Sequence, residues 1–378
     1  MLPAADRRTS RQADAEEHPR RAHQVEARQP FAEQEHAERG GNDRHGVQED
    51  PRACRVTYSA AAMFVFLGRR ILLTLPALLG VALVVFLLMR AIPGDVVSQL
   101  VGPEQEISPE RMEELRRIFG LDLPIHVQFG RWLSAAVQGD LGTSLRTGRS
   151  IAGDLALRFP ATLQLALMSL GIALVMAVPI GIVAALNRGR WPDYLGSAFV
   201  LVGLSVPSFF LGILLILLFS LRLGWLPPAG FVPFLEDPLE STRRMLLPSL
   251  SLGLILAAAT TRIMRSAMLE ILSRDFVRTA RAKGLSERKV TLDHALRNAL
   301  IPVVTVVGLQ FGSLLGGTVI IEQVFSIPGV GRFALEGINL RDYPVVQGAV
   351  LVIAGAFVFV NLVVDILYAF IDPRVRYG

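Results

Sequence analysis

Long runs of apolar residues, separated by short arginine clusters and a few longer polar stretches, set the pattern of this chain. Six such runs follow one another, at residues 71–92, 161–186, 194–221, 246–268, 300–324 and 345–371. A helix rises ~1.5 Å per residue, so each run is close to the ~20 residues needed to cross ~30 Å of hydrocarbon. A segment in lipid must satisfy its backbone internally, which predicts helices rather than open strands. Pro76, Pro179, Pro207 and Pro248 lie within or near the runs. Neighbouring helices re-satisfy freed backbone groups, so the spans are expected to continue through these prolines. The expected fold class is an all-α integral membrane protein of about six transmembrane helices.

The stretch before the first run reads differently. It is rich in Arg, Glu, Gln, Asp and His with almost no large apolar residue, too little to offset the entropy of ordering. It also lacks the apolar centre and small-residue cleavage site of a secretory signal. Met63 opens the pattern Met63-Phe64-Val65-Phe66-Leu67-Gly68-Arg69-Arg70, a common beginning for a polytopic chain. Residues 1–62 are therefore expected to be a disordered extension, read either as upstream of the true start and absent from the mature protein, or as a flexible cytoplasmic tail. The membrane domain is then 63–378.

Arginine and lysine in short loops mark the cytoplasmic side. Arg69 and Arg70 precede the first run, Arg188 and Arg190 separate the second and third, and Arg374 and Arg376 follow the sixth. Residues 269–300 hold Arg274, Arg278, Arg281, Lys283, Arg288, Lys289 and Arg297. All fall on one side of a six-span serpentine, so both termini are expected in the cytoplasm. Opposite them lie a long loop, 93–160, and shorter ones near 226–244 and 326–343. The long loop predicts an amphipathic helix, N-capped by Ser108, with Met112, Leu115, Ile118 and Phe119 at helical spacing and Gly120 as terminator.

Composition narrows the function. With 52% hydrophobic and 19% charged residues, the charges gathered in the first stretch and the loops, lipid is the solvent that fits. The net charge of +5 comes without a basic aromatic groove or zinc spacing, so the basic loops of a membrane protein explain it and nucleic acid is not indicated. A single cysteine, Cys54, excludes an intrachain disulfide and a Cys-based zinc site. His126 and His294 are isolated, and no metal site or catalytic set is predicted. An ion-coupled secondary carrier is the alternative, since it needs ionisable groups deep in the bilayer. Glu322 and Asp365 are the candidates, but each lies toward a predicted span end and reads as structural. No phosphate-binding Gly-x-x-x-x-Gly-Lys-Ser/Thr loop occurs, so any ATP must be bound by another chain.

The loop at 269–300 carries the most information. Ser273 or Asp275 can cap a short helix that Gly284 terminates, and Ser286 with Glu287 starts a second, so two helices joined at a glycine are expected beneath the membrane. Phe276, Ala280 and Gly284 recur every four residues, with Arg274, Arg278 and Arg281 roughly opposite. A small-residue face with one aromatic lets another backbone approach closely, as docking requires. A basic surface helix lying on anionic headgroups is the plainer reading of the same composition.

Arg278-Thr279-Ala280-Arg281-Ala282-Lys283-Gly284, followed by Asn298-Ala299-Leu300-Ile301-Pro302, resembles the coupling loop of ATP-binding-cassette (ABC) importer permeases of the dipeptide, oligopeptide and nickel branch. Ile92-Pro93-Gly94-Asp95, Gly139-Asp140-Leu141-Gly142-Thr143-Ser144, Pro207-Ser208-Phe209-Phe210-Leu211-Gly212, Leu226-Pro227-Pro228-Ala229-Gly230, Glu322 to Gly331 and Asp365 to Arg374 resemble the same branch, in order. The likeness is to the first of its two paired permeases and covers nearly all of 63–378.

This resemblance implies a type I importer permease, a transport subunit and not an enzyme. It implies a heterodimer with a second permease, two cytoplasmic ATPase subunits that carry ATP and magnesium, and an extracytoplasmic solute-binding protein. No cofactor is expected on this chain. Asp275, Phe276, Arg278, Thr279, Ala280, Arg281, Ala282, Lys283 and Gly284 would couple to an ATPase, with Asn298, Ala299 and Pro302 closing the loop. In the long loop, Gly139, Asp140, Gly142 and Ser144 are the candidate contact with the binding protein, and Asp140 is expected to cap backbone amides of its glycine-rich turn. Branch members import dipeptides, oligopeptides, nickel, glutathione or sugars, and no residue here selects among them.

Overall fold

The computed structural model of the chain describes residues 51–91, 110, 113, 114, 117 and 122–371. The chain divides into two units, Met1–Cys54 and Arg55–Gly378, and the packing of the spans lies within the second. In order, the elements are α1 (Pro51–Ala91), α2 (Ile125–Val137), α3 (Ile151–Leu186), α4 (Trp191–Ser205), α5 (Ser208–Arg222), α6 (Pro238–Leu272), α7 (Asp275–Ala282), α8 (Glu287–Gly317), α9 (Val319–Val324), α10 (Val330–Asn339) and α11 (Tyr343–Ile371). Among the described residues, five helices are long and apolar enough to cross a membrane, six if α4 and α5 count as one bent span.

Glycines set which helices touch. A Cβ on Gly181 of α3 would lie 2.7 Å from the Met264 Cβ of α6, and one on Gly253 of α6 would lie 2.8 Å from the Ser169 carbonyl of α3. Gly203 of α4 meets Ala258 of α6 in the same way. On α8, Gly308, Gly312 and Gly316 form a stripe at four-residue spacing against Val364, Phe357 and Ile353 of α11. Where lipid is as apolar as the protein, small residues let helices gain dispersion contact at short range. The pairing order shows α8 and α11 to be antiparallel, whereas α3 and α6 run parallel. The α3–α4 turn, α7, the start of α8 and the end of α11 therefore share one end of the bundle.

Sequence reading and structure part at four places. The span expected over 194–221 is broken: Val206 and Pro207 are extended, and α4 and α5 meet at 101°. Proline lacks the N–H that would continue the helix and forces its predecessor out of the helical region. The span expected to reach residue 324 stops at Gly317, where Thr318 leads into the separate α9. Helix α1 starts at Pro51, so residues 51–62 are helical where disorder was expected. Residues 1–50, Ser108, Met112, Leu115, Ile118, Phe119, Gly120, Arg374 and Arg376 lie outside the described residues. The long loop also contains α2, whose Phe129 and Trp132 stand 5.2 and 5.9 Å from the Phe86 ring of α1.

Beyond α9 the chain turns on a buried carboxylate. Glu322 is 0% exposed. Its Oε1 accepts from Thr162 Oγ1 (2.7 Å) and Thr318 Oγ1 (2.9 Å), and its Oε2 accepts from the Arg332 N–H (2.7 Å). Thr162 Oγ1 in turn accepts from the Val330 N–H at 2.9 Å. The first amides of α10, which have no intrahelical partner, are thus satisfied by α9 and α3 together. Gly329 leaves room for the carboxylate. Glu322 is structural, as its sequence suggested, through three internal hydrogen bonds rather than through hydration at a span end.

Candidate functional site

Helix α7 follows α6 after a two-residue break and lies outside the apolar windows. Ser273 does not cap it: its hydroxyl donates to the Glu270 carbonyl at 2.7 Å, closing α6. Arg274 is the extended N-cap residue and makes no side-chain cap bond. Asp275 instead occupies the first turn, where its charge favours the helix N-terminus. At the other end the Gly284 N–H bonds the Arg281 carbonyl (2.9 Å) and the Leu285 N–H reaches the Ala280 carbonyl (3.4 Å). Gly284 has φ +75°, a left-handed conformation that glycine adopts without a steric cost, so the expected terminator is in place.

The side of α7 that faces its own chain is not the one that spacing suggested. Val277 and Ala280 are buried with Val290 of α8, against Ile271, Leu272 and Leu285. Ala280 therefore anchors the helix to the bundle. Asp275, Phe276, Arg278, Thr279, Arg281, Ala282, Lys283 and Gly284 are exposed, Phe276 at 44%. The four-residue recurrence of small residues concealed the apolar pair three residues apart that packs. The arginines are partly engaged: Arg274 with Glu270, Arg278 with Asp275 at 3.5 Å, and Arg281 with both Glu287 oxygens at 2.8 and 3.2 Å. Arg281→Ala is expected to shift thermal stability by less than ~1 kcal/mol, because the pair is solvated.

A second cytoplasmic helix was expected after Gly284. In the structure Glu287–Gly317 is one rod, its early turns widened to π geometry at Val290–Leu296. Ala299 is fully buried with Met264, Met268, Ala295 and Val303, whereas Asn298 and Pro302 are exposed, and Asn298 donates to the His294 carbonyl at 2.7 Å. Helix α8 thus runs without a break from beside α7 into a span.

At the opposite end, Gly139 and Gly142 have φ +84° and +82°, and Asp140 Oδ1 accepts from the Gly142 N–H at 2.9 Å, the capping role expected of it. Ser144 is buried, donating to Asp342 Oδ2 at 2.6 Å, while the Leu145 N–H donates to Asp342 Oδ1 at 3.2 Å. Gly139 and Asp140 remain exposed and Gly142 half-buried. Asp342 was not singled out from sequence, since nothing local pairs it with a residue almost two hundred positions away.

Residues 177–377 match the family described as the inner membrane component of binding-protein-dependent transport systems, and residues 63–166 match the N-terminal family of the same membrane component. The chain belongs to this family. It is 45% identical over 315 residues to the glutathione transport system permease protein GsiC of Salmonella typhimurium strain LT2, spanning 83% of this chain and 100% of that protein. The GsiC protein of Escherichia coli strain K12 is 44% identical over the same length. Among solved structures, the MetNI methionine ABC transporter in an inward-facing conformation aligns with 58% of this chain and 96% of its own, at 19% identity and a TM-score of 0.48. The chain is a permease subunit of a binding-protein-dependent ABC importer, a transport component whose ATPase activity belongs to partner subunits.

One further pair braces the α7 end of the permease. Arg265 of α6 grips Asp193 of α4 with two bonds, Nε to Oδ1 at 2.5 Å and Nη2 to Oδ2 at 2.8 Å, and the Gly189 N–H adds a third at 3.0 Å. Asp193 is buried. Asp193→Ala leaves the Arg265 charge without its partner and is expected to cost of order 3 kcal/mol, visible as a lower melting temperature in detergent. Sequence alone gave no signal for this pair.

Proposed function

We propose that this permease forms half of the translocation pathway for a peptide-type solute and is driven through the exposed side of α7. The observation that carries the reading is that Phe276, Thr279, Ala282, Lys283 and Gly284 stand free of the bundle while Val277 and Ala280 fix the helix to α8. A cleft on an ATPase subunit would receive that exposed side, and nucleotide-driven closure would be passed along α8. A bistable membrane element biased by ATP and magnesium on the partner is sufficient for this, with no chemistry in the permease. The second permease would complete the pathway as a heterodimer, with two ATPase subunits. The glutathione permeases at 44–45% identity support a peptide-type solute.

The α7 end is assigned to the cytoplasm, with both termini, because Arg188, Arg190, Arg274, Arg278, Arg281 and Lys283 gather there. Gly139, Asp140 and the Gly142 turn would then face the solute-binding protein, with Ser144 fixing the turn from within. In a Cys54→Ser background, a thiol at position 286 is expected to react only with reagents that reach the cytoplasm, and one at position 138 only with external reagents. External labelling at 286 would refute the orientation and the docking reading with it.

A further inference from the structure

Three faces of α6 are covered by its own chain. Helix α3 covers one side through Gly181 and Met264, α4 covers a second through Gly203 and Ala258, and α8 covers a third, where Thr260 Oγ1 meets Gln310 Oε1 at 3.1 Å. The remaining face, opposite α3, carries Ile255, Ala259, Arg262 and Ser266 at helical spacing, with Arg262 and Ser266 exposed. Arg262 lies within the apolar window of the helix, ten residues before Leu272, which is ~15 Å along the axis. Arg265, one turn nearer the end, is neutralised by Asp193. Arg262 has no carboxylate within ion-pair distance among the described residues.

An ionisable group within a span is costly unless it faces water or a charge of opposite sign. We infer that the open face of α6 lines the translocation pathway and that Arg262 holds an anionic group of the solute there, a carboxylate in the case of a peptide. Its planar guanidinium fits a carboxylate with two parallel bonds. Ala259 and Ser266, one turn to either side, leave the space a solute needs. The inference deepens the permease reading, on which it rests. The competing source of an anion is a lipid phosphate reached by snorkelling, which would place the same face in hydrocarbon.

The experiment uses the assembled complex in native membranes, with Cys54→Ser and Ala259→Cys in this chain. Thiols at 259 sit one turn deeper than Arg262 and within ~6 Å of its Cβ. An anionic methanethiosulfonate is expected to react about tenfold faster than a cationic one of similar size, and Arg262→Gln is expected to erase the preference. A thiol that is inert to both reagents places the face in lipid and overturns the proposal, as does equal reactivity with Arg262 present. Retention of the ATPase subunits, read on the same membranes, reports separately on the permease reading.

Discussion

Gly329→Ala is expected to abolish accumulation of the folded permease. Its φ is −91°, so the backbone would accept a side chain. Space is what forbids it: a Cβ there stands under 3.0 Å from the Cδ and both oxygens of Glu322. The carboxylate cannot swing away cheaply, since Thr162, Thr318 and the Arg332 amide hold it in a site with no solvent. Displacing it strands a buried charge and the first amides of α10, at a cost of several kcal/mol. Folded proteins hold a margin of ~5–15 kcal/mol, so this consumes a large part of it. Yield and melting temperature of a fluorescent fusion in detergent measure the effect, with Gly355→Ala as control because a Cβ there meets nothing within 4 Å. Normal yield and melting for Gly329→Ala would show that the carboxylate knot is not essential to the fold.

Ala280→Asp is the second change with a large expected effect, and its mechanism follows from where Ala280 points. A carboxylate between Val277 and Val290 has no partner in that apolar pocket. Helix α7 is short, and its anchorage is two buried side chains, so the cheapest escape is for it to leave the bundle. The spans pack through α3, α6, α8 and α11, independently of that contact, and should persist. Uptake is expected to fall to background with the ATPase subunits lost from the purified complex, while the permease itself remains in the membrane. Gly284→Asp should weaken coupling for a different reason, the left-handed backbone at a helix end. Retained ATPase and uptake in Ala280→Asp would mean that α7 holds its position by other means.

Much of this architecture was legible in hydrophobic pattern alone, because the length of an apolar run is fixed by bilayer thickness rather than by tertiary detail. Gly284 was equally plain, since a glycine after a short helical stretch is the ordinary way to stop it. The bend at Pro207 was not, because Pro76, Pro179 and Pro248 sit inside continuous helices and nothing local separates the two outcomes. The inward side of α7 was misread because alanine and glycine carry too little apolar signal to outweigh spacing, whereas Val277 is the residue that seats the helix. Glu322, Asp342 and Asp193 each find partners far along the chain, so their roles appear only once the helices are assembled.

The central claim, that the exposed side of α7 meets an ATPase subunit, is tested most directly by photocrosslinking. Single thiols at positions 279 and 277, each in Cys54→Ser permease within the assembled complex, are labelled with a benzophenone maleimide after membrane isolation and then illuminated. Thr279 is exposed and Val277 is 0% exposed, so the label at 279 is expected to join the permease to the ATPase subunit, and position 277 is expected to give no such product. A label at 279 that crosslinks only to lipid, with no ATPase adduct, would contradict the account and return α7 to the status of a membrane-surface helix.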